Sequence, residues 1–288
     1  MRVKYVMLSF IALMFLSMRL SYAAEPSPEQ LRDTIRDHIA NQEKLQGAFA
    51  VVDERLPAGQ AGTGDLRRLE LVGVHERVGK TGDYYYSCTD MRDVKTGELL
   101  DLDFDIEDKD GRLQVAEIHI HKDDGIPRYT YGEDDKKVPL PVAELKPTAE
   151  DSPVSGKVSF METDEGLKIN AVIENAPPGK HGFHIHEKGD CSDQGNAAGG
   201  HFNPDDVPHG DVKKHGFQRA HAGDLGNIEI GSDGKGKLEK VIPGLTIGKG
   251  KYGVADRSVV LHEKEDDFGQ PTGNAGGRIA CAVIPENA

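Results

Sequence analysis

Cysteine is scarce in this chain, and so is positive charge. Cys88, Cys191 and Cys281 are its only three cysteines in 288 residues. They allow one intramolecular disulfide and one leftover thiol, and counting alone does not say which two pair. Lysine and arginine total 35 against 49 acidic residues, a formal charge of −14. So acidic a chain is a poor partner for nucleic acid or for an anionic membrane surface. Long apolar runs are also lacking. The clearest, Tyr5 to Ser17, is shorter than the roughly 20 residues that span a bilayer. No integral membrane span is expected after processing.

That run fits an export signal better. Arg2 and Lys4 precede it, and Ser21-Tyr22-Ala23 places small residues at the cleavage positions. Residues 1–23 are therefore expected to be a signal peptide, cut after Ala23, and the protein to be exported, periplasmic or extracellular. No cysteine stands just after the cut, which argues against a lipoprotein. Losing Arg2, Lys4 and Arg19 takes the formal charge from −14 to −17. An oxidising destination would keep a disulfide intact.

Two domains are expected. Ser27, Pro28 and Gln30 form a helix start with a capping box. Leu31, Ile35 and Ile39 then lay one apolar stripe along a helix to about Gln46. Strand candidates follow at 48–53, 69–77, 83–89, 100–107 and 112–121. Leu100, Leu102, Phe104 and Ile106 alternate with Asp101, Asp103 and Asp105, the mark of a half-buried strand. Residues 26–131 read as a small α+β domain, one helix plus antiparallel strands. Residues 132–153, with Pro139, Pro141, Pro147 and Pro153, read as a semi-extended linker. From Val154 to residue 288 short alternating runs and many glycines predict an all-β sandwich or barrel. Its long polar segments, 188–224 and 263–277, are of a length that is usually functional.

Those segments and the strand ends beside them hold the chemistry. In His181-Gly182-Phe183-His184-Ile185-His186-Glu187, strand alternation puts His184 and His186 on one face and Phe183 and Ile185 on the other. Imidazole suits copper and zinc. Downstream stand His201, His209, His215, His221, Asp224 and His262, beside glycine and proline turns. An HxH pair alone is more often a polar strand face. The later histidines favour a metal site.

HGFHIHEKGDCS at 181–192, GGHFNP at 199–204, HG at 209–210, HAGDLGN at 221–227, HEKEDD at 262–267 and GNAGGRIAC at 273–281 resemble the copper/zinc superoxide dismutases. The resemblance covers residues 154–284. The short step from His186 to Cys191 is similar to the bacterial exported branch. The resemblance implies a Greek-key β-barrel, an architecture of which these dismutases are a recognised example. It implies copper ligands His184, His186, His201 and His262, and zinc ligands His201, His209, His221 and Asp224, with His201 shared. It implies that Asp266 hydrogen-bonds His184 and His209, and that Cys191 pairs with Cys281. Arg278 would bind the superoxide anion. His201 would deliver a proton to the departing peroxide. His181 would hold loops rather than metal, and His215 matches no ligand.

The implied activity is conversion of superoxide to dioxygen and hydrogen peroxide. The competing reading is an exported copper/zinc-binding or copper-buffering protein without turnover. Lys188 and Lys264 are candidates for guiding the anion. Family members occur as dimers and as monomers, so a homodimer is one expectation, and a copper donor another. The N-terminal domain matches no recognised family. Its chemical hints are Glu117, His119 and His121 on one strand face, with His75 and Cys88 elsewhere. Read from sequence alone, Cys88 is a buried thiol.

Overall fold

The computed structural model describes residues 25–53, 65–132, 136–248 and 250–286. The expected signal peptide lies outside the described residues. Helix α1 (Pro28–Gln46) starts as its sequence dictates. The Ser27 hydroxyl accepts from the Gln30 backbone N–H, and the Gln30 side chain accepts from the Ser27 N–H. Two helix-start donors are thereby satisfied. Gly47, at φ 80°, ends the helix in the left-handed conformation that suits glycine.

Leu31, Ile35 and Ile39 pack on a six-stranded antiparallel sheet. Its strands, in spatial as well as chain order, are β1 (Phe49–Asp53), β2 (Asp65–Thr81), β3 (Tyr84–Asp93), β4 (Leu99–Lys109), β5 (Arg112–Asp123) and β6 (Ile126–Pro127). Leu100, Leu102, Phe104 and Ile106 face the helix and are fully buried. Strand parity sends Asp101, Asp103 and Asp105 to the opposite face. A hairpin of β7 (Tyr129–Tyr131) and β8 (Lys137–Pro139) caps that face. Its Tyr129 and Tyr131 hydroxyls donate to Asp103, and Lys137 reaches Asp105 at 2.7 Å. One helix and antiparallel strands match the expected α+β class.

The C-terminal part is a closed eight-stranded barrel. Its strands are β9 (Val142–Pro147), β10 (Ser155–Thr163), β11 (Gly166–Glu174), β12 (Gly179–His186), β13 (Asn227–Ile230), β14 (Gly236–Ile242), β15 (Ser258–His262) and β16 (Arg278–Val283). The spatial order is β10-β11-β14-β13-β12-β15-β16-β9. The crossovers at β11–β14 and β12–β15 give it Greek-key character. One core fills it, including Phe160, Phe183, Ile185, Val259 and Leu261. Helix α2 (Val212–His215) is a single turn in the long loop after β12. No helix among the described residues is long and apolar enough to cross a membrane.

The linker expected at 132–153 is corrected by the structure. Residues 137–139 pair in the hairpin over the first sheet, and 142–147 form β9, which closes the barrel between β16 and β10. Ala143 and Leu145 are buried while Glu144 is exposed, a short alternation hidden among prolines. Pro139 and Pro147 stand at strand ends, where a missing N–H is tolerated. The domains also touch through charge. Lys157 of β10 lies 3.5 Å from both Glu98 and Asp123, and Lys237 of β14 donates to the Asp124 carbonyl at 3.2 Å.

A fragment starting at Leu140 should therefore unfold cooperatively, whereas one starting at Val154 lacks β9 and leaves β10 and β16 with open edges. Thermal melts of the two fragments check this. Equal melting temperatures would show that β9 is dispensable.

Candidate metal centre

β12 supplies the first two histidines. Phe183 and Ile185 enter the core, and His184 and His186 turn to the other face, both buried. β15 pairs alongside, with His184 opposite Val260 and His186 opposite Ser258. At the far end of β15 the pairing with β16 slips. Leu261 faces Ala280, and His262 faces Arg278. The bulge leaves Ile279 as the extra residue and puts His262 and Arg278 side by side, which is how bulges re-aim side chains. An isolated bridge between His186 and His201 brings in the long loop.

Two clusters result. One donor atom from each of His184, His186, His201 and His262 lies within 4.8 Å of the others. The same holds for His201, His209, His221 and Asp224. All seven residues are buried, and only His201 belongs to both sets. Every ligand expected from the sequence is thus in one of these groups. His215 is exposed at the end of α2.

Hydrogen bonds decide which nitrogen each ring offers. Asp266, 1% exposed, sits between the clusters. Its carboxylate bonds His184 Nε2 and His209 Nε2, each at 2.9 Å. Both Nδ1 atoms are then left facing the clusters. His184 Nδ1 and His209 Nδ1 are buried with no hydrogen-bond partner, although His209 Nδ1 is only 2.9 Å from Asp224 Oδ2. His186 Nδ1 bonds the Gly199 carbonyl at 3.0 Å and His262 Nδ1 the Gly276 carbonyl at 3.3 Å. Their Nε2 atoms meet at 3.2 Å. His201 directs Nδ1 to Asp224 Oδ1 at 2.8 Å, so its Nε2 is left for the first cluster.

Buried nitrogens without partners, crowded against nitrogens and one carboxylate, are costly unless a cation sits among them. Four imidazoles suit copper, and three imidazoles with one carboxylate suit zinc. The residues fit both metals.

Protonation follows the same layout. Burial, helped by the nearby His201, pushes His186 down to about 2. Burial likewise takes His262 to about 3 and, against the pull of Asp224, His201 to about 4. These three rings are held neutral, the form in which imidazole can bind a metal. His209 runs the other way. Burial works to lower it, but the close Asp224 carboxylate and the hydrogen bond to Asp266 outweigh burial and push it up to about 9. Burial raises Asp224 and Asp266, but the histidine hydrogen bonds outweigh it and hold both well below the usual carboxylate range.

Arg278 is half-buried and pinned by the loop. Its guanidinium donates to the Gly195 and Gly199 carbonyls. Gly199 O also accepts from His186, so one carbonyl ties the arginine to the first cluster. Burial lowers the Arg278 pKa, and its charge helps lower those of His186 and His262. The Cys191–Cys281 disulfide, with Cα atoms 5.7 Å apart, fastens this loop to β16. Such a closure stabilises by roughly 2–4 kcal/mol. His181 bonds the carbonyls of His262 and Pro177, both at 2.8 Å, and so holds loops.

Sequence reasoning missed Gly199 O and Gly273. Backbone carbonyls leave no mark on residue identity. Gly273 is marked by its need for φ 76° and by close packing. A Cβ there would strike Asp266 Oδ1 and come within 2.7 Å of His209 Nε2.

The barrel and its paired histidine clusters define a β-barrel metalloprotein. A family profile described as copper/zinc superoxide dismutase matches residues 154–284. An extracellular copper-zinc superoxide dismutase of Drosophila melanogaster is 42% identical over 145 residues, 47% of this chain and 78% of the relative. One from Caenorhabditis elegans is 43% identical over 136 residues, 45% of this chain; the chain spans 60% of that relative. Superoxide dismutase [Cu-Zn] 5 of Dictyostelium discoideum is 39% identical over 140 residues, 46% of this chain and 90% of the relative. The crystal structure of the clock protein EA4 aligns with a TM-score of 0.46 at 36% identity, covering 51% of this chain and 94% of that one. The chain belongs to the copper/zinc superoxide dismutase family, which implies copper and zinc as its metals.

Gly273→Ala should destabilise the protein by about 1–3 kcal/mol through strain at positive φ and displacement of Asp266. Chemical denaturation of the metal-free protein measures it, and no change would remove the packing argument. The pH response has a definite sign. His186, His201 and His262 bind protons more readily when unfolded, so between their folded values and 6.5 the unfolded state takes up more protons. Metal-free protein should lose stability as pH falls below about 6.5. His209, raised to about 9, acts oppositely: its contribution is full below 6.5 and lost as pH rises through 9. Denaturation midpoints across pH check both limbs.

Proposed function

We propose that the chain dismutates superoxide: two superoxide anions and two protons yield dioxygen and hydrogen peroxide. The observation that carries this reading is the His201 ring, common to both clusters, with Arg278 fixed beside the first. Copper, held by His184, His186, His201 and His262, supplies a one-electron acceptor and donor, and zinc, held by His201, His209, His221 and Asp224, supplies fixed positive charge.

The protein's own groups do the rest. Arg278 presents a planar cation with its orientation set by two backbone carbonyls, which suits a small anion. A chain of formal charge −14 repels superoxide at long range. Local positive potential has to overcome this, and superoxide dismutases are a known instance of such steering. Arg278 is assigned that role. Lys264 is a weaker candidate, because Glu263 shares its position over Gly276. His201 turns Nδ1 into the second cluster, 2.8 Å from Asp224, so with zinc held there Nε2 would be the ring atom left to carry a proton to departing peroxide. Asp266 keeps His184 and His209 from turning. The functional unit is residues 154–288 together with β9. Residues 1–23 read as an export signal, and the extracellular relatives support an exported protein.

Arg278→Ala should lower superoxide consumption by about tenfold or more and flatten its ionic-strength dependence. Arg278→Lys should recover part of the loss. Stopped-flow assays at matched metal content check this. An unchanged rate would contradict the arginine's role. One copper and one zinc per chain with no turnover would favour a metal-buffering protein.

A further inference from the structure

The N-terminal sheet carries a second group of metal-ligand side chains, on the face away from α1. Cys88 of β3 stands opposite Asp103 of β4, and Asp103 opposite His119 of β5. The β4–β5 pairing then slips. Asp101 faces Lys122 and Leu102 faces Ile120, leaving His121 as the extra residue of a bulge. His121 stacks on Tyr129, ring centroids 4.8 Å apart, beside Asp103. One donor atom from each of Cys88, Asp101, Asp103 and His121 lies within 4.8 Å of the others.

Unsatisfied atoms mark this group. Asp101 is 7% exposed; its Oδ2 accepts from Lys122 at 2.9 Å, but its Oδ1 is buried with no partner. His121 Nδ1 is also buried with no partner, 3.6 Å from Asp103 Oδ2 and beyond hydrogen-bond reach. Asp103, 1% exposed, accepts from Cys88 Sγ at 2.9 Å and from both hairpin tyrosines. Two buried carboxylates facing an orphaned imidazole nitrogen are expensive, and buried polar atoms in native folds normally have partners.

We propose that Cys88, Asp101, Asp103 and His121 form a third metal site, taking a borderline-soft divalent cation of the zinc type. The donor set selects the class. Calcium and magnesium want oxygen alone, whereas one thiolate, one imidazole and two carboxylates suit zinc. Charge agrees. A thiolate and two carboxylates bring three negative charges, Lys122 offsets one, and a divalent ion balances the remainder. The Cys88 proton leaves to solvent on binding, freeing Asp103 Oδ1 from its S–H bond. Tetrahedral zinc sets a sulfur and an oxygen ligand about 3.5 Å apart, so the 2.9 Å Cys88–Asp103 contact opens only slightly. Tyr129 and Tyr131 hold the carboxylate in place, as outer partners do at metal sites. Entry is open, since Cys88 is only part-buried and the His121 side chain is 19% exposed. His75 and Asp90 lie next to Asp101 and are the flanking group, with His75 Nε2 3.2 Å from Asp90 Oδ2. Binding would pin the β7–β8 hairpin, from which the chain runs directly into β9.

Cys88 is the only cysteine outside the disulfide. A thiolate-to-cobalt charge-transfer band can therefore come only from this site, whatever the histidine clusters bind. Cobalt(II) titrated into the metal-stripped, disulfide-intact full chain should produce that near-ultraviolet band. Cys88→Ser should abolish it, and His121→Asn and Asp101→Asn should each weaken the titration by about tenfold or more. Zinc should slow alkylation of Cys88 by about tenfold or more. If Cys88→Ser does not fold, the other two variants and the alkylation rate of the unaltered protein decide. Cobalt uptake without a thiolate band, together with unprotected Cys88, would overturn the site and leave the group as a hydrogen-bond network under the hairpin.

Discussion

The buried Asp266 carboxylate ties the two histidine clusters together. It accepts from a ring in each cluster, His184 and His209, and so fixes which nitrogen each turns inward. Without it both imidazoles could flip, and the orphaned Nδ1 atoms would lose their common focus. Its own placement depends on further contacts. Asn227 donates to its backbone carbonyl and accepts from its backbone N–H, and the Phe268 N–H bonds its side chain. Gly273 lies so close that no side chain fits. The loop after β15 is thus folded around one carboxylate, and that carboxylate sets the geometry of residues contributed by β12 and by the long loop after it.

The other side of the centre depends on the end of β16. The bulge at Leu261/His262 sets His262 beside Arg278, and the disulfide at Cys281 draws the glycine-rich loop against both. Gly199 then serves His186 and Arg278 through one carbonyl. Ring orientation in the first cluster and the Arg278 charge are coupled through backbone rather than through side chains.

Much of this was legible in the residues. The His184/His186 alternation, the ligand motifs and the strands on either side follow from parity and from chemically demanding turns. The helix start at Ser27 was readable because capping is local. The strand at 142–147 was not. Its two inward residues are too short a pattern to outweigh four nearby prolines, and barrel closure is a long-range constraint. The burial of the polar face of β4 was not legible either. Asp101 and Asp103 alternate as solvent-facing residues would, yet the β7–β8 hairpin buries them, and that hairpin arises from the segment read as linker. The bulges that re-aim His121 and His262 leave no local signal, because they depend on pairing register.

Anomalous diffraction from crystals of the metal-loaded protein, collected at the copper and zinc edges, tests the central claim most directly. Copper density among His184, His186, His201 and His262, and zinc density among His201, His209, His221 and Asp224, with the His201 ring between them, is the predicted result. Either metal placed elsewhere in the barrel, or His201 bonded to only one of them in the oxidised protein, would contradict it.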